Sequence, residues 1–98
     1  MQIEPDRRRV AEFCERWGIS ELSLFGSVLR DDFRPDSDVD VLVAFAPETD
    51  WDYWNWPQMQ DELREIFGRD VDLVVKESLA NPFRRQRILS TREAVYAA

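Results

Sequence analysis

Apolar residues recur along this chain in two alternating patterns, one helical and one strand-like. Behind Pro5, residues Val10, Phe13, Cys14 and Trp17 fall at helical spacing, and Gly18 supplies the stop. Glu21-Leu22-Ser23-Leu24-Phe25 alternates polar and apolar, which predicts a half-buried strand. It runs into Gly26-Ser27 and a helical turn over Val28 to Asp31; Arg34-Pro35-Asp36-Ser37 then forms a turn cluster that Asp36 caps. Asp38 to Phe45 is apolar almost throughout after its first residues, as in a central strand buried on both faces. Pro47 to Asp50 is a loop, and Asp52 to Phe67 is mostly helical with Leu63, Ile66 and Phe67 inward. Pro57 either sits in the first turn of the main helix or kinks a longer one, and Gly68 closes it. Asp70 to Val75 is a third strand, a basic helix runs from Pro82 to about Ser90, and Glu93 to Ala97 adds a short edge element. The order helix, strand, strand, helix, strand, helix predicts a small α/β (α+β) domain.

Length and composition narrow the picture. The 98 residues hold one small domain, residues 1–98, with a modest core that a partner surface would help. A hydrophobic fraction of 44% is that of a globular chain and excludes disorder throughout. Met1 to Arg9 is polar and charged, with no leader-like apolar stretch after it, and no run is long enough to cross a bilayer. Cys14 stands alone, so no internal disulfide is available; it reads as a small buried hydrophobe in a cytoplasmic protein.

Charge and residue inventory change the picture more. A net charge of -7 argues against a protein that coats nucleic acid by general electrostatics. Acidic residues concentrate between Asp31 and Asp72, whereas Arg84, Arg85, Arg87 and Arg92 make the C-terminal segment basic. The chain has no histidine and a single lysine, Lys76, which excludes a histidine base, a Ser-His pair and His-ligated zinc. Carboxylate and arginine chemistry remain.

Asp38 and Asp40, one residue apart on a strand, point to the same face with Cα atoms roughly 6.6–7 Å apart. Like charges so placed repel unless a cation lies between them. Magnesium suits that place, being held by carboxylates together with substrate phosphates. Asp72 has the equivalent position in Asp70-Val71-Asp72, so if the two strands are neighbours it meets Asp40. Two metals roughly 3.5–4 Å apart could then clamp the attacking and leaving oxygens of a displacement at phosphorus. Gly26 lets backbone approach a phosphate closely, the turn after it offers N–H groups and its dipole, and Ser27 adds a hydroxyl. Arg30, one turn on, is placed to reach a phosphate tail; Arg34 is a weaker candidate for the same contact.

Gly26-Ser27, ten intervening residues and Asp38-Val39-Asp40 resemble the signature of the DNA polymerase β-like nucleotidyltransferase superfamily. The flanking runs Leu24 to Arg30 and Asp36 to Asp40 most resemble its minimal members, including the antitoxins paired with HEPN-domain toxins. Leu63 to Val75 and Asn81 to Leu89 extend the likeness over nearly the whole chain, although Leu29 and Asp31 flank Arg30 where such proteins often carry a small residue and a glycine. The resemblance implies a minimal palm: a mixed sheet of three to five strands with helices on one side. It implies Gly26, Ser27 and Arg30 on the nucleotide, and Asp38 and Asp40 on magnesium, two ions in all. Asp72 would be the third carboxylate, positioning and deprotonating the acceptor hydroxyl. It further implies ATP as donor, AMP transfer to a tyrosine of a cognate HEPN toxin, and a hetero-oligomer with that toxin. No membrane partner and no direct nucleic-acid binding are expected.

Two other readings stand beside this one. A small-molecule nucleotidyltransferase of the antibiotic-modifying kind would need a further substrate-binding region, and a chain ending at Ala98 leaves no room for one. A catalytically idle module that masks its partner has no need of clustered carboxylates. Trp51, Tyr53, Trp54 and Trp56 crowd into six residues, so at least one is expected to be exposed toward a partner. Arg84, Arg85 and Arg87 read as a solvated helix face.

Overall fold

Asp6 accepts a hydrogen bond from Arg9 N at 3.2 Å, and this cap starts the first helix, α1 (Arg7–Trp17). The structure, a computed structural model, describes residues 4–29, 34, 37–47, 49 and 53–98, with the Tyr53 side chain left out. Along it follow β1 (Ile19–Phe25), a 3-10 turn (Gly26–Leu29), β2 (Val39–Phe45), a 3-10 turn (Tyr53–Asn55) and α2 (Trp56–Phe67). Next come β3 (Val71–Val75), a 3-10 turn (Lys76–Ser78), α3 (Pro82–Thr91) and β4 (Glu93–Ala97). Pro57 lies in the first turn of α2, where its missing N–H costs no helical bond. The expected edge element is a full strand. Trp51 and Asp36 fall outside the described residues.

The sheet order is β3-β2-β1-β4, with β2 and β3 parallel and both other pairings antiparallel. The parallel pair needs a crossover, and α2 provides it. Alternation along the strands gives the sheet two different faces. On one, Leu22, Leu24, Val39, Val41, Val43 and Leu73 pack under Val10, Phe13 and Cys14 of α1 and Met59 and Leu63 of α2. On the other, Phe25 and Leu42 form a smaller cluster with Leu79 and with Ile88 of α3. Two helices thus lie on one side as expected, and α3 covers part of the opposite face. That cover explains why β1 is buried along most of its length and not on alternate residues only: both Leu24 and Phe25 are inside.

Glu62 ties α1 to α2. Its Oε2 accepts from Arg16 Nη2 and from Trp17 Nε1, both at 2.7 Å. Hydrogen bonds to a charged acceptor stabilise by about 1.5–3 kcal/mol, less where solvent screens them. Glu62→Ala is therefore expected to lower stability by about 1–2 kcal/mol, read as a lower urea midpoint at unchanged slope. The face of the sheet that carries Asp40 should be unaffected, because this pair joins the two helices that cover the other face. Cys14 is buried in the larger core, and burial, helped by Glu15, pushes its thiol up to about 12. It is a packing group. Among the described residues no helix is long and apolar enough to cross a membrane.

Candidate active site

The strand order decides which carboxylates meet. Asp40 and Asp72 are register partners across the parallel β2–β3 pair, one position beyond the Val39–Val71 pair, where Val39 N donates to Asp70 O at 2.9 Å. Adjacent strands lie about 4.8 Å apart, so the two side chains leave the sheet as neighbours on the same face. Asp38 stands just ahead of β2, not within it, and is exposed like Asp72, while Asp40 is half-buried. The turn before Asp38 is fixed: Ser37 N donates to Arg34 O at 3.0 Å, and Arg34 N to Ser37 Oγ at 3.0 Å. Arg69 Nη1 donates to Arg34 O at 3.1 Å and binds the turn to the entrance of β3. Arg34 thus serves through its backbone, and Arg69 is a positioning residue with no local sequence signal.

Gly26 closes the site from the other side. Phe25 is the register partner of Asp40 across the antiparallel β1–β2 pair, so Gly26 follows directly at the strand end. Its φ is +76°, in the left-handed region where glycine is at ease. A Cβ there would collide with Asp40 Oδ2, and Asp40 Cγ would be only 3.1 Å away. The glycine is needed twice, once for its turn and once for the carboxylate lying against it. Ser27 follows, half-buried in the Gly26–Leu29 turn. Four residues of 3-10 helix sum few peptide dipoles, so the turn contributes backbone N–H groups and the Ser27 hydroxyl more than a macrodipole. Arg30 lies outside the described residues.

Gly26, Asp40 and Asp72 consequently stand on three consecutive strands at one end of one sheet face. Among the described residues no three carboxylates or thiols already enclose a point that an ion could occupy. The donor set nevertheless fits a hard cation: all carboxylate oxygen, on two adjoining strands, in a chain without histidine. The sequence reading missed a cleft beside this row. It has a volume of about 550 Å³ and lies between Phe25, Gly26 and Leu29 on one side and Arg84, Arg87, Ile88 and Thr91 of α3 on the other. Spacings of three, four and seven residues from Arg84 put these α3 side chains on one helix face, a periodicity the run of arginines hid. Arg85 points elsewhere and donates to Lys76 O at 3.1 Å. Of the aromatic cluster, Trp54 is 90% exposed, whereas Trp56 is half-buried and packs on the larger core.

A mixed sheet with a glycine turn laid against an Asp-x-Asp strand, and a third aspartate in register beside it, is the palm of a nucleotidyltransferase. The chain belongs to the nucleotidyltransferase domain family, whose model matches residues 7–95. The protein adenylyltransferase MntA of Thermococcus cleftensis is 36% identical over 85 residues, covering 87% of this chain and 81% of that protein. A solved structure described as a minimal nucleotidyltransferase superposes with a TM-score of 0.72 at 33% identity, over 89% of this chain and 86% of that one. A toxin–antitoxin crystal structure with AMP-PNP shares the fold at a TM-score of 0.74 and 20% identity, over 95% of this chain and 74% of its own.

Proposed function

We propose that this protein is a magnesium-dependent protein adenylyltransferase, one unit over residues 1–98, which transfers AMP from ATP to a tyrosine hydroxyl of a HEPN-type toxin in the cytoplasm. It would act as that toxin's antitoxin. The observation that carries the reading is the contact of Gly26 with Asp40, with Asp72 in register beyond it, because it sets a phosphate-approach point against paired carboxylates. The choice of a protein acceptor draws on the adenylyltransferase name of the 36%-identical relative. The choice of a HEPN toxin draws on fold neighbours, one of them an MNT antitoxin in complex with the tri-AMPylated HEPN toxin of Shewanella oneidensis.

In this reading Gly26 and Ser27 hold the triphosphate by backbone N–H and hydroxyl, and Arg30 adds charge to its tail. Asp38, Asp40 and Asp72 are the ligands for magnesium. When bound, two magnesium ions neutralise charge at the α-phosphate and align the attacking and leaving oxygens. Asp72, exposed at the edge of the row, orients the acceptor hydroxyl and takes its proton. A bond forms from the acceptor oxygen to the α-phosphorus, the bond to the bridging oxygen of the β-phosphate breaks, and pyrophosphate leaves. Most of the acceleration comes from positioning and fixed charge.

The test follows label from α-phosphate-labelled ATP into a co-purified HEPN partner. Label should enter the partner, stop with a chelator and return with added magnesium. Labelling that a chelator leaves unchanged would refute metal dependence. Tight binding without label would make the protein a steric mask, a reading to which the exposed Trp54 lends a contact surface.

A further inference from the structure

Arg84 and Arg87 both line the 550 Å³ cleft that begins at Gly26. The volume is within the ordinary range of small-ligand sites. Its walls are Phe25, Leu29 and Ile88, and its polar groups are two guanidiniums with Thr91. Among the described residues neither guanidinium has a carboxylate within ion-pair reach, although other arginines do: Arg8 with Glu12, Arg16 with Glu62, Arg64 with Asp70 and Arg92 with Glu21. Both side chains are exposed, so water can satisfy their charge, but two arginines one helical turn apart that line a cleft and face no acid give an anion a place to bind in a chain of net charge -7.

Strand order says which anion. Asp72 is on β3, Asp40 on β2 and Gly26 at the end of β1, so the cleft lies on the far side of Gly26 from Asp72. In-line displacement puts the attacking and leaving oxygens on opposite sides of phosphorus. With the acceptor on the Asp72 side, the leaving group departs across Gly26 toward α3. We infer that Arg84 and Arg87 form the subsite for the β- and γ-phosphates of the donor, gripping the pyrophosphate in the cleft between the Gly26 turn and α3. This rests on the nucleotidyltransferase reading above. Guanidinium forks suit phosphate oxygens, and such bonds are among the stronger hydrogen bonds. The subsite selects triphosphate over monophosphate donors and stabilises the charge that pyrophosphate gains as it leaves.

Calorimetric titration of the full chain with ATP, AMP and tripolyphosphate, each with magnesium, tests this. Arg84→Ala/Arg87→Ala should weaken ATP and tripolyphosphate by about 10–100-fold and leave AMP nearly unchanged. Arg85→Ala, whose side chain turns to Lys76 O, should change none of the three. Arg87→Lys should recover part of the loss, since it keeps the charge without the fork. Equal losses for ATP and AMP would overturn the inference, placing the nucleoside in the cleft. Unchanged binding of ATP and tripolyphosphate would overturn it too, whether or not the arginines proved to dock the protein partner. Failure of the wild type to bind any of the three ligands would instead refute the underlying nucleotide reading.

Discussion

Replacing Asp38 and Asp40 together by asparagine is expected to cut nucleotide transfer by on the order of 10³-fold or more, with the fold and partner binding retained. Removal of a single preorganised electrostatic group costs about 10²–10³ in kcat, and two that serve one site do not add simply. Asparagine has nearly the shape of aspartate and lacks its charge, so the change removes the charge proposed to hold a hard cation without opening a cavity. Asp38 is exposed, where a substitution of this kind shifts stability by about 0.5 kcal/mol or less. Asp40 and Asp72 face each other across the parallel ladder, so the double change leaves Asp72 as the last charge in the row. Steady-state label transfer with a thermal melt on the same samples reads both halves of the prediction. Unfolding of the variant, or activity within tenfold of wild type, would contradict it.

Gly26→Ala should be nearly as damaging, for a reason of shape and not charge. The backbone at φ +76° costs an L-residue about 1–2 kcal/mol. The new methyl would also meet Asp40 Oδ2, so either the turn or the carboxylate must move. A displacement of about 1 Å in reacting geometry can cost on the order of 10²-fold, and that loss is expected in kcat/KM. Gly68→Ala is the matched control. Its φ is +74°, but a Cβ there meets nothing within 4 Å. It should lose about 1 kcal/mol of stability and keep its activity. Equal activity losses at the two glycines would show that backbone strain, and not contact with Asp40, governs the site.

Much of this arrangement is legible in the sequence because it is local. Gly26-Ser27 and Asp38-x-Asp40 each sit within three residues, and hydrophobic alternation around them identifies their strands. The pairing of Asp72 with Asp40 was readable only as a condition, because it depends on which strands lie together; the parallel β2–β3 register meets that condition. Strand ends were less legible. Asp38 falls just outside β2, since a strand ends where ladder bonds stop and not where the apolar pattern starts. The placement of α3 was hidden for a different reason. Its apolar face is narrow, little more than Ile88 and Leu89 against the second cluster; its arginines read as solvated, and Arg84 and Arg87 are indeed exposed, but no local pattern showed the cleft that they also line. Glu62 and Arg69 join segments 45 and 35 residues apart, and no local pattern announces such bonds. The proposed contact of Arg30 with the nucleotide lies outside the described residues.

The aspartate row is proposed to move AMP onto a protein. The most direct measurement is the intact mass of a HEPN partner after incubation with ATP and magnesium, beside wild type and beside Asp38→Asn/Asp40→Asn. Whole AMP increments are expected on the partner with wild type and none with the double variant. A partner of unchanged mass that still binds the wild-type protein tightly, or one modified equally by both proteins, would contradict it.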